Sequence, residues 1–328
     1  MKDINCMGGC SSKLDNNRLT KILKLASTNL IGNEDSSIWN LENGKSLIES
    51  LDFFPQISDS LYTYGQITAC NSISDIYAMG GKPEFALSIL TVTKDMSDED
   101  IALIIKGMKS ILDPLKIKIL GGHTIITNDL LCGLSVTGFV DNIDLKLNNT
   151  PKVGDILVIS KPLGFGTIMA AKSIDMVNSN DYEEAIRWMT TPNELASIQS
   201  IKYNFNSLTD VTGFGLAGHL LEKLNNKFTA SIQFKSIPLI KNVLDYLGNY
   251  IVNGALANNR RNYSKDIYFD EDTPFAMRQI FFDPQTSGGL LGTLSEKEYL
   301  RLIQDPKNVF TKIGVIKEKS NYLIKVEI

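Results

Sequence analysis

Asn71-Ser-Ile-Ser-Asp75-Ile-Tyr-Ala-Met79-Gly80-Gly81-Lys82-Pro83 is the stretch on which the fold turns. Apolar Ile67, Cys70, Ile73, Ile76 and Tyr77 recur at three- and four-residue steps, so residues 62–79 read as a helix with Asp75 among its apolar positions. Gly80-Gly81-Lys82-Pro83 ends that helix in a forced turn, and an apolar strand follows from Glu84 to Val92.

Upstream, residues 16–30 read as a short amphipathic helix leading into Ile31-Gly32-Asn33-Glu34-Asp35. Lys45 to Leu51 then reads as a strand that delivers Asp52 at its exit. Downstream, helical periodicity resumes over 98–113, and residues 117–120 and 130–140 supply strands separated by a Gly121-Gly122-His123-Thr124 loop. Turn-forming Asn148-Asn-Thr-Pro151-Lys-Val-Gly154-Asp155 marks a boundary before the strand Ile156–Ile159. The second half opens on its own glycine-rich loop, Lys161-Pro-Leu-Gly164-Phe-Gly166-Thr167. Helices are expected near 167–175, 192–203 and 214–226, and Phe281-Phe-Asp283-Pro-Gln-Thr-Ser287-Gly288-Gly289 enters a buried strand.

With 328 residues, 43% of them apolar, the chain exceeds a usual single core, and two domains of about 150 residues each are expected. A net charge of -4, a pI near 5.4 and no Lys/Arg block argue against nucleic acid as a partner. Cys6, Cys10, Cys70 and Cys132 are too few for a disulfide scaffold and lack paired zinc spacing, which favours reduced thiols and a cytoplasmic setting. Residues 1–20 hold no signal-peptide core, no run reaches the ~20 apolar residues of a membrane span, and no membrane partner is expected.

The first residues, Cys6-Met-Gly-Gly-Cys10-Ser-Ser-Lys13, admit two readings. One is an ordinary frayed terminus. The other is a mobile arm, with glycines for an adaptable backbone, a thiol near a cation and a lysine able to reach phosphate.

Four aspartates, Asp35, Asp52, Asp75 and Asp210, stand where an element meets a turn or where an apolar helical face makes a charge expensive. Each alone reads as a cap or a surface charge. Together with the glycine loops they form the several-oxygen set that Mg2+ requires and that neutralises phosphate. His123 and His219 form neither a zinc motif nor a triad, and His219 reads as structural. Gly164-Phe-Gly166 lacks the full dinucleotide fingerprint, and no GxxxxGK[ST] loop is present.

The ordered set of Gly9-Cys10-Ser-Ser-Lys13, Glu34-Asp35, Leu51-Asp52-Phe-Phe-Pro55, Asn71 to Pro83, Gly121-Gly-His-Thr124, Lys161 to Gly166, Leu208 to Gly215, Asn259-Arg-Arg-Asn262 and Phe282 to Gly289 resembles the selenophosphate synthetase (selenide, water dikinase) family over nearly the full length. The resemblance implies an α/β (α+β) fold of two aminoimidazole-ribonucleotide synthetase-like domains, with mixed sheets covered by helices. A catalytic arm over 1–20 would precede an ATP-binding, dimerising domain over 21–150 and a second α/β domain over 156–328. It implies a homodimer that makes selenophosphate, AMP and orthophosphate from ATP, water and selenide, the last free or from a selenium-delivery protein.

On the same resemblance Cys10 is the reactive cysteine and Lys13 the essential nearby lysine. Asp35, Asp75 and Asp210 hold Mg2+, while Lys13, Gly32, Asn33, Glu34, Asp52, Asp75, Gly122, His123 and Thr124 contact the nucleotide. Gly122 to Thr124 can be supplied across the dimer. The family often carries Cys-Gly-Cys before the lysine, whereas this chain has Cys10-Ser11-Ser12. Cys6 is then either a resolving thiol on the same arm or incidental. The closest alternatives are a thiamine-monophosphate kinase on the same scaffold and a non-catalytic nucleotide-binding protein.

Overall fold

The computed structural model describes Gly9, residues 16–26 and residues 34–328. In the first half, α1 (Asn16–Leu25), β1 (Ser37–Asn40), β2 (Lys45–Pro55), α2 (Leu61–Ala78), β3 (Lys82–Val92), α3 (Asp98–Leu112), β4 (Lys118–Ile126) and β5 (Leu131–Asp141) follow in order. The second half continues with β6 (Ile156–Ile159), α4 (Phe165–Ser173), α5 (Ser179–Met189), α6 (Glu194–Lys202), β7 (Ser207–Asp210), α7 (Gly215–Leu224) and β8 (Phe228–Gln233). It closes with α8 (Val243–Gly248), α9 (Gly254–Tyr263), β9 (Ile267–Phe269), α10 (Phe275–Gln279), β10 (Leu290–Leu294), α11 (Glu296–Leu302), β11 (Thr311–Glu318) and β12 (Ile324–Glu327).

Two mixed sheets result, as the fold class predicts. The first has strand order β1-β2-β5-β3-β4, antiparallel except for the β3/β4 pair, whose parallel register follows from the crossover through α3. The second has order β7-β10-β6-β11-β8-β12-β9. One continuous apolar core links them, running from Ile48, Ile73 and Leu134 to Val211, Leu220 and Phe281.

Helix α2 sits between the two halves. Ser60 caps its start by accepting from the Thr63 amide at 3.2 Å. Its end is set by Gly80, whose φ of +71° lets the Gly80 amide donate to the Tyr77 carbonyl and the Gly81 amide to that of Ile76. From Ile67 to Ala78 every residue is buried, since the first sheet and α3 cover one side while β7, α5 and α6 of the second half cover the other.

Strand β2 lies against α2 with alternate residues Ser46, Ile48, Ser50, Asp52 and Phe54 buried. Asp52 is not at the strand's exit as the sequence reading has it. Phe53, Phe54 and Pro55 continue the pairing opposite Gly133, Cys132 and Leu131, so the carboxylate faces the helix from within the strand. A second correction concerns Gly121-Gly122-His123-Thr124, expected as a loop. These residues lie inside edge strand β4, in register with Leu87, Ser88, Ile89 and Leu90 of β3. The glycine pair, a loop signal by composition, is accommodated because an edge strand needs only its backbone to pair. Helix α1 spans Asn16–Leu25 of the expected 16–30, and residues 27–30 lie outside the described residues.

Helices α2 and α3 cross in close contact. An added methyl on Gly65 would lie 2.1 Å from the Ile104 carbonyl oxygen, and one on Gly107 would lie 2.0 Å from that of Tyr62. Neither backbone has a soft side chain to yield. Gly65→Ala and Gly107→Ala are each expected to lower unfolding stability by about 1–3 kcal/mol. A fall in the urea midpoint checks this, and unchanged midpoints in both variants would refute the close crossing.

Candidate active site

Strand β2 and helix α2 bring polar groups together in sequence order. Ser50 donates to Asp75 Oδ2, and Asn71 Nδ2 donates to Asp52 Oδ2 at 2.8 Å. The Ser72 hydroxyl donates to the Asp52 carbonyl at 3.3 Å. Asn71 and Asp75 are four residues apart on one helical stripe, and Ser50 and Asp52 are two apart on one strand face. The two periodicities thus align two carboxylates along a single seam.

The second half completes the site. Asp210 ends β7, opposite Leu290 of β10, and Asp35 stands just before β1. Asp35, Asp75 and Asp210 each present an oxygen within 4.8 Å of the other two. Thr209 donates its hydroxyl to Asp35 Oδ1 at 2.7 Å. The other oxygen, Asp35 Oδ2, is buried and has no hydrogen-bond partner among the described residues.

Burial, and next the charge of Asp210, pushes the Asp35 carboxyl well above the usual carboxylate range, against the hydrogen bond from Thr209. Two unit charges about 5 Å apart repel by roughly 3 kcal/mol at an effective dielectric of ~20. Either a proton or a cation must offset that repulsion. An all-oxygen donor set with one open buried oxygen fits a hard divalent cation such as Mg2+.

Two buried lysines border the carboxylates. Lys223 of α7 donates to the Asn148 carbonyl at 3.1 Å and Ser207 Oγ at 3.2 Å, and burial lowers it to about 7 against the charges of Asp35 and Glu34. Lys161 donates to the carbonyls of Thr191 at 2.6 Å and Ser287 at 2.9 Å, and burial lowers it to about 8. Ser287 in turn donates its amide to Asn71 Oδ1 at 2.8 Å. Asn193 reaches both Ser74 Oγ and the Gly288 carbonyl, each at 2.9 Å. The 283–289 loop is therefore fastened to α2 from two sides.

Of the other sequence candidates, Glu34 accepts from the Asn148 amide at 2.7 Å, beside the Lys223 contact. Gly122, His123 and Thr124 are exposed on β4, which β5 and β3 separate from β2. Neighbouring strands are about 4.8 Å apart, so one chain does not bring them to the carboxylates. Cys6, Cys10, Lys13, Gly32 and Asn33 lie outside the described residues. Gly9, adjacent to Cys10 in sequence, is buried between Ile57 and Thr286, with room for no side chain. His219 is structural, its Nε2 accepting from the Thr212 amide at 3.1 Å.

Sequence reading passed over Ser50, Asn71, Lys161, Thr209, Lys223 and Asn193 as site-forming residues. Asn71, Lys161 and Thr209 fall within the motifs that carry the family resemblance but were given no role there, while Ser50, Asn193 and Lys223 lie outside those motifs.

Lys161 also gives the fold a pH signature. A lysine held near 8 when folded and at its ordinary value of 10.5 when unfolded binds more protons in the unfolded state between those values. Its contribution to stability therefore rises with pH across that window. In urea titrations the stability of the wild type minus that of Lys161→Met is expected to climb from pH 8 to 10.5. A flat difference would mean that the ammonium is not desolvated.

Residues 33–140 match the family described as AIR synthase related protein, N-terminal domain, and residues 152–323 match its C-terminal domain. A selenide, water dikinase of Treponema denticola is 32% identical over 335 residues, covering 97% of this chain and 94% of that protein. One from Agathobacter rectalis is 36% identical over 300 residues, covering 89% and 88%. Among solved structures, thiamine monophosphate kinase of Aquifex aeolicus superposes with a TM-score of 0.70 at 17% identity, over 95% of this chain and 96% of that one. Hydrogenase maturation protein HypE in complex with ATP superposes with a TM-score of 0.68 at 13% identity, over 97% and 92%. At such identities these two structures speak to the fold alone. With both domains matched and relatives above 30% identical along almost all of its length, the chain belongs to the selenide, water dikinase family of AIR synthase-related proteins.

Proposed function

We propose that this chain forms selenophosphate from selenide, ATP and water, releasing AMP and orthophosphate, at the site where Asp35, Asp75 and Asp210 converge. The single observation that carries the reading is that convergence, built from both domains in a chain of this family. The three carboxylates are the proposed ligands of Mg2+, which supplies neutralisation of phosphate charge when bound. Asp35 is then held as a carboxylate rather than as the acid that its burial otherwise favours. Ser50 and Thr209 fix the orientation of two of the three groups.

The anionic selenide and the triphosphate repel each other, so positive charge must be in place before attack. Lys13 is assigned that task beside the phosphates, and Cys10 the handling of selenium as a polarizable thiolate. Lys13, Gly32, Asn33, Glu34 and Asp52 are assigned to the nucleotide side. Water then cleaves the remaining phosphoanhydride to give AMP. Selenide itself, free or handed over by a delivery protein, is the substrate, and a cytoplasmic setting is proposed with it. Among the described residues no helix is long and apolar enough to cross a membrane.

Anaerobic incubation with ATP, Mg2+ and selenide, run with and without added thiamine monophosphate, tests the reading. Selenophosphate and AMP should appear together in phosphorus NMR; ADP alone, or phosphorylated thiamine monophosphate, would overturn it. Asp75→Asn, Asp210→Asn and Lys13→Ala should each cut turnover by roughly 10²-fold or more, since each removes several kcal/mol of charge stabilisation. Cys10→Ser should lose selenophosphate formation while keeping MgATP binding.

A homodimer through the first sheet is the proposed assembly. The sheet's outer face exposes Leu51, Phe53 and Leu87, with Leu120 beside them on the edge strand. The register sets Phe53, Gly133, Ile89 and His123 in one row across four strands. Covering that face with a second copy would carry Gly122, His123 and Thr124 toward the partner's nucleotide. Phe53→Asp should raise the dimer dissociation constant at least tenfold in sedimentation runs. A wild-type chain that sediments as a monomer at high micromolar concentration would remove the proposal.

A further inference from the structure

An open cavity of about 640 Å³ lies in the second half, between the end of α9, strand β9, α10 and Tyr322. It shares no residue with the carboxylate site. Its walls combine three guanidinium groups with two tyrosine rings. Arg260 and Arg261 come from the last turn of α9, and Arg278 from α10. Basic residues in a helix's last turn have an ordinary role in offsetting the helix dipole. The other observations go beyond that role.

None of the three arginines forms a salt bridge among the described residues. Arg278 is fixed by neutral acceptors only, with Nε donating to the Thr273 carbonyl at 2.9 Å and Nη2 to the carbonyls of Asp270 at 3.0 Å and Glu271 at 2.7 Å. Arg260 Nη1 donates to Gln279 Oε1 at 3.3 Å. Two of the three cations are thus positioned by groups that leave their charge uncompensated, on a chain of net charge -4. Arg278 uses Nε and Nη2 on those carbonyls, whereas Arg260 and Arg261 each give one Nη1 contact to a neutral side-chain oxygen, of Gln279 at 3.3 Å and of Asn258 at 3.5 Å. The guanidinium forks of Arg260 and Arg261 are therefore the ones that suit the oxygens of a phosphate.

The lining is also aromatic. The rings of Tyr268 and Tyr322 lie 5.5 Å apart and keep 42% and 39% of their surface exposed. Inorganic phosphate has no use for such a wall, whereas a planar ring stacks on it. The volume falls within the ~300–1,000 Å³ of small-molecule sites. We propose that this cavity binds a phosphorylated aromatic ligand of nucleoside monophosphate size, with phosphate toward Arg260 and Arg261 and the ring against Tyr268 and Tyr322.

The test uses the full chain in EDTA, so that no divalent cation holds phosphate at the carboxylates. Equilibrium dialysis with AMP should give a saturable site. Inorganic phosphate and adenosine should each bind at least tenfold more weakly, because each engages one wall only. Arg261→Glu should weaken AMP binding at least tenfold and Tyr322→Leu severalfold, with unchanged melting temperatures. Arg260→Gln serves as the second charge variant should Arg261→Glu not fold. Hydrogen exchange should slow over residues 257–282 on adding AMP. Four outcomes would overturn the proposal: no AMP binding in EDTA, phosphate binding as tightly as AMP, binding indifferent to these variants, or a short RNA displacing AMP at far lower concentration. None depends on the reaction assigned above, so this site stands or falls separately.

Discussion

Everything else in the molecule depends on burying the polar stripe of α2 between two domains. Asn71, Ser72, Ser74 and Asp75 are all less than a tenth exposed, in a helix whose other face is apolar. Such groups are tolerated inside a protein only when each finds a partner. Asn71 spans the seam by donating to Asp52 of the first domain and accepting from Ser287 of the second. Ser74 is met by Asn193, and the Tyr77 carbonyl by the Ser197 hydroxyl at 2.8 Å. Partner choice along this stripe dictates how the domains dock. A shift by one helical turn would strand several buried donors at about 1–3 kcal/mol each.

That docking is also what assembles the carboxylates. Asp75 arrives on the helix, Asp210 at the end of a strand of the other sheet, and Asp35 on the segment leading into β1. No single domain holds all three. Their mutual repulsion works against closing the seam, and the Thr209 hydrogen bond to Asp35, which crosses it, works for it, while Ser50 orients Asp75 from within the first domain. Lys223 is buried near Asp35 and Glu34, whose charges favour its ammonium form while burial opposes it. The site is thereby preorganised, with its charge left incompletely balanced.

Much of this was legible in the residues themselves. The 3.6-residue period of Ile67, Cys70, Ile73 and Ile76 located α2, the Gly80-Gly81 pair its end, and a carboxylate among apolar positions singled out Asp75. What periodicity could not reveal was the other side of the helix. Asn71, Ser72 and Ser74 have the composition of a solvated face, and only the presence of a second domain turns them into a buried seam. The same limit hid Lys161 and Lys223, since a lone lysine in a sequence reads as surface. Gly121-Gly122 misled in the opposite direction, because glycine composition signals a turn while strand pairing asks nothing of a side chain. Helix α5 does carry an apolar period in Tyr182, Ala185, Ile186 and Met189, which the sequence reading passed over, whereas α8, α10 and α11, at 6, 5 and 7 residues, are too short to show one. Local capping at Asn178, Asn253 and Ser295 sets the starts of α5, α9 and α11.

The division of labour between the seam and the exposed strands has a physical basis. The carboxylates proposed to hold a hard cation include Asp75 and Asp210, which sit where packing and hydrogen bonds lock their rotamers, on α2 and β7. Residues expected to meet the nucleotide from another chain sit exposed on β4, the edge strand, paired on one side by β3. An edge strand with Leu120, Ile125 and Ile126 more than two-fifths exposed is a liability in a free monomer, because unpaired backbone and apolar side chains together invite association. A second copy packed over the sheet's outer face would cover its apolar residues at one stroke. On the proposed assembly the same packing would carry His123 toward the second copy's carboxylates, so the covering of apolar surface and the proposed nucleotide contact draw on one surface.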